Sequence, residues 1–205
     1  MGLLIYVCGN WPVKVNLLSP DIYEIEEFIT LDQQKNILSY CKGLDEDKWW
    51  NSGIVDKEGF FNGKTSFEEN IKLFDDIYQK INSLFSSLEY TNPLNLHRHL
   101  DGHFMSPHLD WHEGKTPHIR YGLVLYYNDD YQGGALNYPN LGIIHKPKAR
   151  SLLIHGARIL HGTTRSIGPA RYFSTTFIFG TKESPVILSD DVFKDFKQSS
   201  EYEYF

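Results

Sequence analysis

Short apolar segments at regular intervals fill the second half of the chain, and they constrain its fold more than any other feature. After Pro93, Gly, Pro and Asn residues separate each segment from the next. Evenly spaced short strands with turn residues between them are typical of a β-sandwich or a barrel. The segments are RYGLVLYY (120–127), GGALNYP (133–139), GIIHKP (142–147), RSLLIHG (150–156) and RYFSTTFIFG (171–180).

The first half of the chain is predicted to contribute helices that precede this β-rich part. The segment DIYEIEEFIT (21–30) alternates like an early strand, and LDQQKNILSYCKGL (31–44) predicts a helix that ends at Gly43. A second helix is predicted from Ser66, which forms a capping box with Glu69. A last short helix, capped at Ser189, is predicted in the tail. The second helix carries apolar residues at intervals of three and four, as in a helix packed on a sheet: Phe67, Ile71, Phe74, Ile77, Tyr78, Ile81, Leu84, Phe85 and Leu88.

Composition narrows the class of protein. We find no internal repeat and no low-complexity linker, so the 205 residues are predicted to form one domain. An apolar fraction of 41%, with 15% aromatic residues, argues against disorder, and a net charge of −6 disfavours nucleic acid as a partner. No segment reaches membrane-spanning length and no signal peptide is evident, so no membrane partner is expected. Cys8 and Cys41 are interpreted as reduced thiols, which predicts a cytoplasmic protein.

The tripeptide His-Leu-Asp occurs twice, beginning at His99 and at His108. It matters because two histidines and one carboxylate on one face of Fe(II) form the facial triad. Asp101 runs into Gly102, where a turn is expected, so its carboxylate caps a turn as readily as it binds an ion. His108 and Asp110 lie in an extended segment, and residues two apart in such a segment point to the same face. A third ligand must come from downstream, where the candidates are His112, His118, His145, His155 and His161.

The order of motifs between residues 96 and 180 resembles that of a known protein family, and this resemblance indicates which histidine is the third ligand. PHLDW, LYYNDDYQGGALNYP, KARSLLIHG, LHGTTR and GPARYFSTTFIF follow one another. In this order they resemble the 2-oxoglutarate- and Fe(II)-dependent oxygenases, in particular the prolyl 4-hydroxylase-like branch. The resemblance implies a mainly β fold with N-terminal helices: a double-stranded β-helix (jelly roll, cupin-like) over about 94–182, with a helical brace over about 30–90. It also implies that His108, Asp110 and His161 bind Fe(II), with 2-oxoglutarate and O₂ as cosubstrates and ascorbate as a supporting reductant.

The same resemblance assigns residues to the cosubstrate. Arg171 follows His161 by ten residues, as in the family. It is expected to bind the C5 carboxylate of 2-oxoglutarate through charge-assisted hydrogen bonds. Tyr126 matches the tyrosine of the family's Leu-Tyr-x-Asn motif and is expected to donate to the same carboxylate, with plain core packing as the alternative. His99 stands where family members often carry a tyrosine, so it is expected to take over that hydrogen bond, to contact substrate, or to pack.

His155 offers an alternative to His161, because Arg165 follows it by ten residues as well. Arg165 lies among Thr-Thr and Gly-Pro in an expected turn, whereas Arg171 begins an apolar strand that carries it into the interior. We therefore favour His161 with Arg171. The two arginines also form an Arg-x5-Arg pair that resembles the nucleic-acid demethylases of this superfamily. In those proteins the pair follows the histidine at a longer interval, and the acidic chain here argues against that interpretation.

The resemblance implies hydroxylation of an unactivated C–H bond, with a prolyl residue in a peptide or protein as the predicted substrate. A free amino acid or another small molecule is the alternative, and a cupin-like protein that holds metal without turnover is a second one. The loop WHEGKTPHIR (111–120) is long, polar and close to Asp110 in sequence, so we expect it to border the site. Within it, Trp111 is expected to make an apolar contact with substrate, and Arg120 to reach a main-chain carbonyl of a bound peptide.

Overall fold

The computed structural model describes residues 3–7, 11–51, 63–65, 74–86, 93–116, 118–180, 187–189 and 193, and the fold is given for these. They form two α-helices, α1 (Leu31–Gly43) and α2 (Asp75–Ser83), and a series of short strands. In chain order the strands are β1 (Leu3–Val7), β2 (Trp11–Ser19), β3 (Ile22–Glu26), β4 (Trp49–Asn51), β5 (Gly63–Thr65), β6 (Phe85–Ser86), β7 (Asn95–His99), β8 (Met105–His108), β9 (Ile119–Tyr126), β10 (Gln132–Gly133), β11 (Leu136–Tyr138), β12 (Ile143–His145), β13 (Leu152–Gly156), β14 (His161–Thr163), β15 (Ser166–Ile167), β16 (Arg171–Phe179) and β17 (Ile187–Leu188).

Antiparallel pairing joins most of these strands into two sheets. The larger sheet has nine strands in the order β1-β2-β3-β13-β9-β16-β7-β5-β4, and the smaller has four in the order β12-β11-β14-β8. Neighbouring strands come from distant parts of the chain: β16 pairs with β9 and β7, and β14 pairs with β8 and β11. Two antiparallel sheets with crossed-over strand order are the architecture of a jelly roll, which confirms the predicted fold class.

The nine-stranded sheet separates two hydrophobic clusters, because alternate residues of a strand point to opposite faces. Along β9, Tyr121, Leu123 and Leu125 belong to an outer cluster, whereas Val124 and Tyr126 belong to an inner one. The outer cluster contains the buried residues of α1 and α2, so both helices pack on the outer face of the sheet. The inner cluster includes buried residues of β11 and therefore fills part of the space between the two sheets.

Helix α1 has a complete N-terminal cap. Thr30 Oγ1 accepts a hydrogen bond from the backbone N of Gln33 at 3.1 Å, and Gln33 Oε1 accepts one from the backbone N of Thr30 at 3.0 Å. This reciprocal capping box satisfies two donors that the helix start leaves without intrahelical partners. The helix ends at Gly43, as predicted, and buries Ile37 and Cys41, one turn apart, in the outer cluster.

The second predicted helix is shorter at its C-terminal end than its apolar pattern implied. Helix α2 buries Ile77 and Ile81 and ends at Ser83. Phe85 lies in β6, which pairs with β17. The prediction that Phe85 belongs to this helix is therefore wrong, because pairing with a distant strand takes the residue out of the helix. The predicted start at Ser66, with its capping box, lies outside the described residues.

The described part of the tail is short. The backbone N of Phe193 donates to the carbonyl of Ser189 at 2.9 Å. The two residues are four apart, as in the hydrogen bond of one α-helical turn. The remainder of the predicted tail helix lies outside the described residues. Of the helices that are described, neither has the length and the apolar character needed to cross a membrane.

Candidate active site

A cavity of about 520 Å³ lies between the two sheets. Its floor is the inner face of the larger sheet, where alternate residues of β7, β9 and β16 point inward. The opposite wall includes His108 of β8 and His161 of β14, and Arg171 lines the floor. A concave site of this size, with a few convergent polar groups among apolar ones, is typical of a small-molecule site.

The predicted metal ligands lie together in this cavity. His108 ends β8, His161 begins β14, and the two residues are register partners in the smaller sheet. His108 Nε2 lies 3.6 Å from Asp110 Oδ1, and His161 Nε2 lies 3.8 Å from Asp110 Oδ2. One ligand atom from each of the three residues falls within 4.8 Å of the other two. Two imidazoles and one carboxylate at these separations can hold a divalent metal ion from one side.

Backbone carbonyls orient both imidazoles toward a common point. Nδ1 of His108 lies 2.9 Å from the carbonyl oxygen of Ser106, and Nδ1 of His161 lies 2.9 Å from that of Ile159. A carbonyl oxygen only accepts, so each Nδ1 carries a proton, and this is the tautomer whose Nε2 has the lone pair that binds a metal. Burial lowers the pKa of His161 to about 3, so this ring is neutral and able to bind a metal at neutral pH.

Asp110 contacts a further histidine, His155, the residue that the sequence interpretation placed second to His161. His155 Nε2 lies 3.3 Å from Asp110 Oδ2, and His155 Nδ1 lies 3.3 Å from the hydroxyl of Tyr138. Burial raises the pKa of Asp110, but the hydrogen bond with His155 and the nearby imidazoles outweigh burial and hold the pKa below its ordinary value. The arginine considered together with His155, Arg165, is exposed and donates to the carbonyl of Gly102 at 2.7 Å, outside the cavity lining.

Two glycines make the space in which these side chains lie. A Cβ atom on Gly122 would overlap Asp110 Oδ2 and lie 2.6 Å from His155 Nε2. A Cβ atom on Gly162 would lie 2.6 Å from the carbonyl oxygen of Met105, so glycine lets β14 approach β8 this closely. Sequence reasoning did not single out either residue. For Gly122 the available signal was a glycine inside the apolar strand segment RYGLVLYY, which marks a close approach of neighbouring groups.

Gly122→Ala is expected to weaken metal binding, because the added methyl group would occupy space held by the Asp110 carboxylate. We expect a loss of about 10- to 100-fold in affinity, the usual effect of disturbing groups around metal ligands. Titration with Co(II) measures the affinity. Gly43→Ala is the matched control, because no atom lies within 4 Å of its Cβ position. Unchanged affinity in a folded Gly122→Ala protein would show that this carboxylate position is not needed for the metal.

Arg171 lines the same cavity without an acidic partner among the described residues. Its side chain is 1% exposed. Nη1 lies 3.4 Å from His99 Nδ1, Nη2 lies 3.5 Å from the Tyr126 hydroxyl, and Nε has no hydrogen-bond partner in the described chain. Aromatic rings surround the guanidinium, with centroids at 4.4 Å for Phe173, 5.3 Å for Tyr126 and 5.8 Å for Tyr131. A buried guanidinium held only by neutral groups is ready to accept an anion from outside the chain.

His99 lies beside Arg171 as a neutral side chain. The pairing of β7 with β16 places the two residues opposite each other. Burial, reinforced by the positive charge of Arg171, lowers the pKa of His99 well below its ordinary value. Because a guanidinium only donates, His99 Nδ1 is the acceptor in their contact and the ring proton lies on Nε2.

The first His-Leu-Asp copy is divided between two environments. His99 lines the cavity, whereas Asp101 is exposed and accepts a hydrogen bond from the backbone N of Gly168 at 2.8 Å. Gly102 follows with φ at 84°, a conformation that glycine adopts without strain. Asp101 therefore caps a turn, which is one of the two roles that the sequence left open for it.

The loop after Asp110 borders the cavity, but not through the two residues named for it. Trp111 packs under the guanidinium of Arg158, whose central carbon lies 4.0 Å from the ring centroid. Arg120 is buried and donates from Nε to the carbonyl of Gly180 at 3.3 Å, so it does reach a main-chain carbonyl, but one of its own chain. Neither residue is part of the lining. The loop residues that line the cavity are His112, Thr116 and Ile119.

A polar strip without a carboxylate, lysine or arginine continues along the cavity floor on β7 and β16. Asn95, His97 and Thr175 line the cavity, and a hydrogen bond of 2.7 Å joins His97 Nε2 to Thr175 Oγ1. No motif marks these residues in the sequence. The signal that locates them is the two-residue alternation of the strands, counted from His99 on β7 and from Arg171 on β16.

Neither a family model nor a curated protein sequence matches the chain. Solved structures match over most of its length at low identity. A prolyl-4-hydroxylase from Pseudomonas putida is 17% identical with a TM-score of 0.64, over 78% of this chain and 93% of that one. A viral collagen prolyl hydroxylase from Paramecium bursaria Chlorella virus-1, in complex with 2OG, is 14% identical with a TM-score of 0.58, over 79% and 97%. A prolyl hydroxylase from Trichoplax adhaerens, bound to a hypoxia inducible factor peptide fragment, is 14% identical with a TM-score of 0.64, over 78% and 84%.

These likenesses define the fold of the chain. It is the double-stranded β-helix fold of the 2OG-Fe(II) oxygenases, as the motifs predicted. Among the solved structures that share this fold, three are prolyl hydroxylases, and one from Burkholderia pseudomallei is an oxidoreductase of the 2OG-Fe(II) oxygenase family. The His-Asp-His cluster lies in the cavity between the two sheets of this fold.

Proposed function

We propose that this protein is a dioxygenase that uses Fe(II) and 2-oxoglutarate to hydroxylate an unactivated C–H bond. The observation that carries the proposal is Arg171, which is buried without an acidic partner in the described chain and shares one cavity with the His-Asp-His cluster. An unpaired guanidinium in a protein interior costs on the order of several kcal/mol. A dicarboxylate cosubstrate removes this cost, because its distal carboxylate supplies the missing anion.

The residues present fit an iron ion at one end of the cavity. His108 and His161 offer Nε2 lone pairs that backbone carbonyls have oriented, and Asp110 offers an ionised carboxylate oxygen. This donor set is the one that binds non-haem Fe(II) while leaving coordination positions open. When bound, the iron and the cosubstrate supply an O₂-dependent oxidation that protein side chains cannot provide alone. The chain's own part is to bind, orient and shield the reactants.

Arg171 and its neighbours fit the distal carboxylate of the cosubstrate. Arg171 can donate two parallel N–H bonds to that carboxylate, and the aromatic rings around it keep water away and strengthen the ion pair. Burial raises the pKa of Tyr126, so its hydroxyl stays protonated and is able to donate to the same group. His99, with its proton on Nε2, is a third neutral side chain in this part of the lining.

The proposed substrate is a prolyl residue within a peptide or protein. Two features support it: the prolyl hydroxylases among the structures of like fold, and the polar strip of Asn95, His97 and Thr175, which holds no carboxylate, lysine or arginine. Amide, imidazole and hydroxyl groups suit the peptide bonds on either side of an internal residue, which carry no charge. A free amino acid carries an ammonium and a carboxylate, and each of these needs a counter-charge when it is buried. The strip offers no carboxylate to an ammonium group and no lysine or arginine to a carboxylate, and it therefore favours the peptide over the free amino acid.

A peptide panel tests the proposal. We expect that the protein, supplied with Fe(II), forms succinate from 2-oxoglutarate, and that a proline-containing peptide stimulates this and gains one oxygen atom on the proline ring. The same peptide with alanine in place of proline is the matched control, and free amino acids form the competing set. If a free amino acid is hydroxylated and every peptide stays unmodified, the proposal of a prolyl substrate fails and a small-molecule substrate takes its place. Metal binding without any succinate would favour the non-catalytic alternative.

A further inference from the structure

We propose that His155 is a positioning residue for Asp110, and that Tyr138 sets its tautomer. The inference rests on the proposed metal site and adds to it a chain of three side chains, Tyr138 to His155 to Asp110. Its function is to engage one carboxylate oxygen and fix the plane of the carboxylate, so that the other oxygen is favoured as the metal ligand.

The contacts define a consistent direction for every proton in this chain. The Tyr138 hydroxyl lies 3.3 Å from His155 Nδ1, and His155 Nε2 lies 3.3 Å from Asp110 Oδ2. A carboxylate only accepts, so Nε2 is the donor and carries the ring proton. In the tautomer with the proton on Nε2, Nδ1 is an acceptor and takes a hydrogen bond from the Tyr138 hydroxyl. Burial raises the pKa of Tyr138 well above its ordinary value, which keeps that hydroxyl protonated.

The surrounding residues hold His155 in this position. Its side chain is 1% exposed, Tyr138 is fully buried, and the His155 ring packs against the ring of His161 with centroids 4.0 Å apart. Strand pairing places His155 directly opposite Gly122, whose missing side chain leaves room for both His155 Nε2 and Asp110 Oδ2. The close-set cluster of metal-ligand atoms comprises His108, Asp110 and His161, and His155 contacts it through Asp110 Oδ2.

The consequence concerns how many coordination positions stay open. Oδ2 is bonded to His155 and lies 3.8 Å from His161 Nε2, whereas Oδ1 lies 3.6 Å from His108 Nε2 without that bond. The bond to His155 draws on the lone pairs of Oδ2 and fixes the carboxylate plane, so Oδ1 is favoured as the single metal ligand. A carboxylate that binds through one oxygen leaves three positions of the ion free, whereas binding through both oxygens occupies one of them. The proposed chemistry needs two positions for 2-oxoglutarate and one for O₂. Groups behind metal ligands commonly control orientation in this way.

Variants of His155 and Tyr138 test the inference in the full-length protein. His155→Leu removes both hydrogen bonds, Tyr138→Phe removes only one hydroxyl, and His155→Gln restores an N–H donor toward Asp110. His118→Gln, at an exposed position outside the cavity lining, is the matched control. Co(II) alone is titrated into each protein, and its visible absorption reports the coordination geometry. Circular dichroism and thermal unfolding establish that each variant is folded.

We expect His155→Leu to bind Co(II) about 10- to 100-fold more weakly, as is usual when the group behind a metal ligand is lost. Its Co(II) spectrum should change and its affinity for 2-oxoglutarate should fall. His155→Gln should recover most of the parent spectrum, and Tyr138→Phe should lie between the parent and His155→Leu. If His155→Leu does not fold, Tyr138→Phe tests the inference instead. A Co(II) spectrum that differs from that of the parent supports it, and a parent-like spectrum overturns it.

Two results would overturn the inference: a parent-like Co(II) spectrum in folded His155→Leu, or a Gln variant as impaired as the Leu variant. Because Co(II) titration requires neither 2-oxoglutarate nor substrate, its outcome is independent of turnover. A protein that binds metal as described but forms no succinate would refute the proposed function and leave the role of His155 standing.

Discussion

Asp110→Ala is expected to abolish Fe(II)-dependent succinate formation, whereas Asp101→Ala should leave most of it. The Asp110 carboxylate lies among the imidazoles of His108 and His161, and its loss leaves two neutral ligands to compete with water for the ion. The Asp101 carboxylate is exposed and bonds to the backbone N of Gly168, so its loss costs only a turn cap. Succinate measured at saturating Fe(II) and 2-oxoglutarate distinguishes the two variants.

The comparison is internally controlled, because both variants remove one carboxylate from a His-Leu-Asp tripeptide. Thermal unfolding shows whether each protein is folded at the assay temperature. Equal loss of succinate in both folded proteins would mean that position 110 has no special relation to the iron. Retention of activity in Asp110→Ala would exclude the facial triad altogether.

Arg171→Met should mainly weaken the binding of 2-oxoglutarate, by roughly 2 to 5 kcal/mol, because the C5 carboxylate then enters a buried site without a cation. Methionine keeps much of the apolar volume against Phe173 and Tyr126, so the fold is expected to survive. Metal affinity should hardly change, since Arg171 is not one of the clustered metal ligands. Titration with 2-oxoglutarate in the presence of Co(II) measures the loss.

Arg165→Met is the matched control for charge. Arg165 is exposed, bonds to a backbone carbonyl and lies outside the cavity lining, so its replacement should leave 2-oxoglutarate affinity at the parent value. If Arg171→Met binds 2-oxoglutarate as tightly as the parent, the buried guanidinium serves another purpose and the cosubstrate assignment fails.

Local patterns in the sequence were enough to predict most elements of the fold. Alternating and continuous apolar runs located β9, β13 and β16, since a strand at the centre of a sheet buries side chains along its length. Gly43 marked the end of α1 for an equally local reason. The end of α2 was not predictable in the same way: Phe85 fits the helical spacing, and its partner Leu188 in β17 lies more than a hundred residues further along the chain.

The candidate site, like the fold, was predictable from the sequence only where local spacing sets the geometry. The sequence by itself determined that His108 and Asp110 share a face, because residues two apart in an extended segment do so whatever surrounds them. The motif order, by resemblance, pointed to His161 and Arg171. Tertiary structure alone decided that His161 pairs in register with His108 and that Arg171 is buried without an anion in the described chain.

His155 shows why such features escape sequence reasoning. From the sequence it was a rival of His161 with an arginine at the same interval. Its place behind Asp110 depends on the register between β9 and β13 and on the missing side chain of Gly122. A register between strands some thirty residues apart is set by the packing of both faces of the sheet, which no local pattern encodes. Local spacing thus determined which residue types can meet, and only the packed sheets decided which of them do.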